Sequence, residues 1–85
     1  MSTPFKVYST PSCPYCKKIK TVFLMTGQPF IEYYVGTHIT KQEFFAQFGE
    51  NASVPQITYG DKYIGGCSDT IVFLKENNMI NGKTN

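Results

Sequence analysis

The stretch from Phe5 to Val35 constrains the fold more than any other part of the chain. Phe5-Lys6-Val7-Tyr8-Ser9 alternates and is rich in β-branched and aromatic residues, so it predicts a strand, and Thr10-Pro11-Ser12 must turn the chain. Cys13-Pro14-Tyr15-Cys16 follows. From there Cys16, Ile19 and Phe23 recur at helical spacing, with Val22 beside them and most of the lysines on other faces. Pro14 suits the first turn of a helix, where its missing N–H costs nothing, and Gly27 with Pro29 ends that helix. Phe30 to Val35 again reads as a strand. A strand reached through a helical crossover lies parallel to the one before it, so this stretch predicts a β-α-β unit.

The remaining residues extend the unit. Thr40 with Glu43 is a capping-box pattern, and Phe44, Phe45 and Phe48 form the apolar stripe of a short helix closed by Gly49. Gln56 to Tyr59 and Lys62 to Ile64, separated by Gly60-Asp61, read as a hairpin, and Gly65-Gly66 ends its second strand. Ser68 or Asp69 is placed to cap a last helix running to about Asn77, with Ile71, Val72 and Leu74 inward. Residues 81–85 read as a loose tail. The expected order is β-α-β-α-β-β-α, an α/β fold with a four-stranded mixed sheet and three helices on its faces. Residues 1–85 form a single domain in this reading, because a chain of this length buries only about two-thirds of its surface and has no room for a second core.

Composition narrows the function. No apolar run approaches a membrane span, and the first residues lack an apolar signal core, so the expected location is the cytoplasm, with no membrane association. Eight lysines and no arginine stand against six acids, for a net charge of +2. So small a charge, without the residue best suited to bidentate phosphate or base contacts, disfavours a nucleic-acid binder. His38 is read as part of a polar loop, without a chemical role.

Three cysteines, at 13, 16 and 67, are too few for a disulfide scaffold. A C-x-x-C pair supports either thiol redox chemistry or half of a zinc site, and only Cys67 and His38 remain to complete the latter. Placement between a strand and a helix favours redox chemistry. A thiol attacks disulfides as the thiolate, and unpaired N–H groups at a helix start stabilise a negative sulfur. Cys13, exposed at that start with Lys17 and Lys20 nearby, is therefore the expected nucleophile. Cys16, on the side of Ile19 and Phe23, is the expected buried, resolving thiol.

Three segments together resemble the dithiol glutaredoxins: Cys13-Pro14-Tyr15-Cys16, Ser53-Val54-Pro55-Gln56-Ile57 and Gly65-Gly66-Cys67-Ser68-Asp69, in the order and approximate spacing of that family. The resemblance covers nearly the whole chain. It implies a thioredoxin fold and a monomeric oxidoreductase that reduces protein disulfides and protein–glutathione mixed disulfides. Glutathione is the implied co-substrate, with no bound cofactor and no metal; ribonucleotide reductase is among the implied protein partners.

The resemblance also implies site residues. Val54, before a cis Pro55, would pair its backbone with the cysteine of glutathione as an added strand does. Gly66 and Cys67 would lie in the glutathione pocket, Cys67 as a thiol without a catalytic part. The Ser68 N–H and the Asp69 carboxylate would hold the γ-glutamyl group, and Tyr15 would lie beside the tripeptide. Lys41 matches the position meeting the glycine carboxylate, with Gln42 as the competing match. Many family members carry a lysine three residues before the nucleophile, where this chain has Thr10. A redoxin served by thioredoxin reductase and an iron–sulfur binding module are the rival readings. The glycine-rich segment argues against the first, and Pro14 against the second.

Overall fold

A computed structural model describes residues 3–79, so the expected tail at 81–85 lies outside the described residues. β1 (Phe5–Ser9) leads into α1 (Pro14–Thr26) and β2 (Phe30–Tyr34). Then come α2 (Lys41–Phe48), the hairpin of β3 (Gln56–Tyr59) and β4 (Lys62–Gly65), and α3 (Cys67–Glu76). The sheet order is β2-β1-β3-β4. β1 pairs parallel to β2 and antiparallel to β3, and β3 pairs antiparallel to β4, which makes the sheet mixed as expected.

The alternation in β1 divides the sheet into two faces. Phe5 and Val7, fully buried, join Ile57 from β3, Ile19 and Phe23 from α1, and Leu74 from α3 in one core. The Phe5 and Phe23 rings stack with centroids 4.6 Å apart. On the opposite face Tyr8 meets Tyr33 at 5.2 Å and Phe48 at 5.0 Å, and Phe48 in turn meets Tyr63 at 5.8 Å. A row of rings thus crosses the sheet from β2 to β4 and seats α2 upon it.

Local signals explain the ends of the helices. Gly27 takes the left-handed conformation, φ 72°, and its N–H returns to the Phe23 and Leu24 carbonyls at the end of α1. Thr40 Oγ1 accepts from the Glu43 N–H at 3.0 Å, while the Glu43 carboxylate accepts from the Thr40 N–H at 2.9 Å, completing the expected capping box.

Several expectations need correction. β2 stops at Tyr34 rather than Val35, because the chain turns through Gly36 and the Tyr34 carbonyl accepts from the Thr37 and His38 N–H groups. His38 has a structural part there: its Nδ1 accepts from the Tyr34 N–H at 2.9 Å. α3 starts at Cys67, with Gly66 as its cap rather than Ser68 or Asp69. This earlier start places Cys67, Thr70 and Leu74 on the buried stripe and leaves Val72 half exposed. Phe45 is likewise partly exposed, since α2 turns Phe44 and Phe48 toward Tyr8.

One ion pair ties α1 to the sheet. Lys20 Nζ lies 2.7 Å from Glu32 Oε2, and the Ser9 hydroxyl donates to the same carboxylate at 2.5 Å. Burial alone would raise the Glu32 carboxyl, but its bonds to Lys20 and Ser9 outweigh that effect and hold it below its ordinary value. A folded pKa below the unfolded one stabilises the protein above the unfolded value, and that contribution is lost as pH falls through the folded value. Glu32→Gln is therefore expected to cost about 0.5–1 kcal/mol at pH 7. Urea unfolding should show the difference shrinking as pH falls below the ordinary carboxylate range.

Candidate active site

The site is assembled where the start of α1, the loop entering β3 and the start of α3 converge. At α1, Cys13 occupies the cap position in extended conformation, and its Sγ accepts from the Cys16 N–H at 3.1 Å. A sulfur so placed receives a backbone donor together with the positive end of the helix, which favours the thiolate once the bond to Cys16 is reduced. Cys13 and Cys16 are joined in a disulfide, with Cα atoms 5.2 Å apart. Cys16 is 1% exposed, as expected of the resolving thiol. Cys13 is only 9% exposed, however, against the expectation of an exposed nucleophile. Its sulfur is enclosed by the bond to Cys16 and by the Val54 carbonyl oxygen, 3.8 Å away.

The Val54–Pro55 bond is cis, as the resemblance implied. A cleft of about 390 Å³ opens beside it, lined among others by Tyr15, Val54, Pro55 and Gly66. Cys67, Ser68 and Asp69 complete that side, so seven of the eight residues expected around the ligand come together. Lys41, the first residue of α2, is not among the lining residues. Lys20 is committed to Glu32, which removes one of the two cations expected to assist Cys13.

Ser53, Gln56 and Tyr63 also line the cleft, although no role follows for them from the motifs. Tyr63 Oη donates to Gln56 Oε1 at 2.5 Å, and Gln56 Nε2 donates to the Ser53 carbonyl at 2.7 Å. Strand register carries the missing signal. The two-residue Gly60-Asp61 turn sets Tyr63 opposite Thr58, and Gln56 shares the Thr58 face of β3.

At the α3 end, the amides of the first turn have no partner within the helix. Asp69 Oδ2 accepts from the Gly66 N–H at 3.4 Å, and the Thr70 hydroxyl donates to the Gly66 carbonyl at 2.8 Å. Burial pushes the Cys67 thiol above its ordinary value, with partial opposition from the Lys18 charge, which disfavours its thiolate. The two glycines differ in what they require. Gly65 has φ 129°, and a Cβ there would collide with the Asp69 carboxylate, whereas a Cβ at Gly66 would meet only the Pro55 carbonyl at an ordinary 3.6 Å. Among the described residues no group of three or more His, Cys, Asp or Glu side chains is clustered to hold a metal ion, and no helix is long and apolar enough to cross a membrane.

Comparison with known proteins bears on the fold and the family. The glutaredoxin family model matches residues 5–64. Glutaredoxin 1 of Rickettsia prowazekii is 32% identical over 75 residues, which cover 86% of this chain and 79% of the relative. The solution structure of reduced Escherichia coli glutaredoxin matches with a TM-score of 0.75 at 23% identity, over 88% of this chain and 96% of that one. A buckwheat glutaredoxin–glutathione complex matches with a TM-score of 0.72 at 21% identity, over 92% and 74% of the two chains.

The glycine contrast is open to direct measurement. Gly65→Ala should lose about 1–3 kcal/mol in urea unfolding, because it forces a strained φ as well as the collision with Asp69. Gly66→Ala meets no such collision and should cost less, about 0.5–1 kcal/mol, because alanine is a poorer cap of α3 than glycine.

Proposed function

The chain belongs to the glutaredoxin family, and on that premise we propose that it reduces protein–glutathione mixed disulfides and protein disulfides through Cys13 and Cys16, with glutathione as the electron donor. The observation that carries this reading is the Cys13 sulfur, capped by the Cys16 N–H at 3.1 Å and set beside the Val54 carbonyl at the edge of the cleft.

For a mixed disulfide, the Cys13 thiolate attacks the glutathione sulfur. A Cys13–glutathione bond forms, the bond to the substrate protein breaks, and the substrate thiolate leaves and takes up a proton. The thiolate of a second glutathione then attacks the glutathione sulfur on Cys13. Glutathione disulfide departs and the Cys13 thiolate is restored. One free glutathione is consumed, its sulfur oxidised as the substrate sulfur is reduced, and the other half of the glutathione disulfide comes from the substrate.

For a protein disulfide, the Cys13 thiolate bonds to one substrate sulfur as the substrate disulfide breaks and its other sulfur leaves as a thiol. The Cys16 thiolate then attacks the Cys13 sulfur, the Cys13–Cys16 disulfide forms and the second substrate thiol leaves. Glutathione reduces that disulfide in turn. In the cleft, the Val54 backbone would pair with the glutathione cysteine, and the first-turn amides of α3 with Asp69 would receive the γ-glutamyl end. Tyr15 would flank the tripeptide. Lys41 and Gln42, at the start of α2, are the candidates to approach its glycine carboxylate. A glutathione-linked cycle calls for a reducing compartment, so we place the protein in the cytoplasm, with ribonucleotide reductase among its candidate substrates.

A glutathione-coupled assay on a small mixed disulfide tests the reading. Cys13→Ser should abolish turnover, whereas Cys16→Ser should retain most of it and lose only the reduction of protein disulfides. Turnover by Cys13→Ser would remove the nucleophile assignment. Recycling by thioredoxin reductase and NADPH, with none by glutathione, would remove the proposed electron donor.

A further inference from the structure

Tyr63 stands at the cleft on the edge strand β4, 56% exposed, and nothing in the thiol-exchange chemistry needs a phenol there. Its two attachments are nonetheless specific. Its ring lies against Phe48 at 5.8 Å, and Phe48 is itself held by Tyr8 at 5.0 Å, so the hydroxyl projects from a fixed base. The hydroxyl donates to Gln56 Oε1 at 2.5 Å.

A glutamine amide presents an acceptor at one end and donors at the other. Once Tyr63 engages the oxygen, Nε2 points at the Ser53 carbonyl, 2.7 Å away. Ser53 precedes Val54, whose own carbonyl lies 3.8 Å from the Cys13 sulfur. An unanchored glutamine gains little net free energy from one solvent-accessible hydrogen bond and loses rotamer freedom in making it. The second anchor offsets that loss.

We propose that Tyr63 is a positioning residue: its hydroxyl orients the Gln56 amide, and the amide holds the Ser53 carbonyl so that the Val54 backbone stays in register beside the Cys13 sulfur. The inference rests on the reading that the Val54 backbone pairs with the substrate. Tyr63 acts through Gln56 and takes no part in thiol exchange. Its effect therefore falls on substrate affinity, with little change in global stability.

Tyr63→Phe keeps the ring on Phe48 and removes only the hydroxyl. In the glutathione-coupled assay it should raise KM for a glutathionylated peptide about twofold to tenfold, with the loss falling on KM rather than kcat. Gln56→Ala should do the same, and the double variant should be no worse than Gln56→Ala alone, because both changes break one chain of contacts. Effects that multiply would mean that Tyr63 touches the substrate directly, and an unchanged KM in Tyr63→Phe would show that the hydroxyl positions nothing; either result overturns the proposal. A second readout needs no turnover. Exchange of the Gln56 side-chain amide protons, followed by NMR on the substrate-free protein, should accelerate at least about twofold in Tyr63→Phe. Unchanged exchange would overturn the clasp even where the assay showed normal glutathione turnover. A wild-type protein without glutathione turnover would overturn the proposed function instead, and the exchange measurement would still decide the clasp.

Discussion

The Cys13 sulfur is at once the cap of α1 and the atom expected to react. Helix starts need acceptors for their unpaired N–H groups, and serine, threonine or aspartate oxygens normally supply them. Here a sulfur meets the Cys16 N–H. A thiolate in that position is stabilised by the same donor that the helix must satisfy in any case, so the requirement of the fold and the requirement of the chemistry coincide. Everything around the site follows from holding that helix start in place: β1 delivers the chain to it, the Lys20–Glu32 pair ties the helix to β2, and the Val54 carbonyl closes over the sulfur.

The two faces of the sheet contribute differently. The face under α1 and α3 is an aliphatic and aromatic core in which Phe5, Val7, Ile19, Phe23, Ile57 and Leu74 are all fully buried. The face under α2 relies on rings, from Tyr33 through Tyr8 and Phe48 to Tyr63. The first fixes where the cysteines stand. The second reaches the far side of the cleft, where Tyr63 and Gln56 adjoin the segment that enters β3.

Much of this could be read from residues close together in the chain. The order of the seven elements follows from periodicity and turn residues, the capping box from Thr40 and Glu43, and the place of the Cys13 sulfur at the start of α1 from its position before Pro14. Features that depend on partners across the sheet could not be read this way. Lys20 reads as a cation available to Cys13 until the β1–β2 register brings Glu32 beneath it. Val72 reads as inward because the helical stripe of α3 is ambiguous until its first residue is known, and that start depends on a glycine cap with no side chain to announce it. Motif position points Lys41 toward the ligand but carries no distance between the start of α2 and the cleft, whose lining does not include it.

The contact between Cys13 and Val54 spans 41 positions in the chain, and the α3 side of the cleft comes from still further along. No single hairpin or helical unit contains the reacting centre. Closing such long loops costs entropy that the sheet and core repay, so the geometry around the sulfur rests on contacts made across the whole fold. The site is thereby tied to the complete fold: a fragment would present two cysteines three residues apart, but not the cleft beside them.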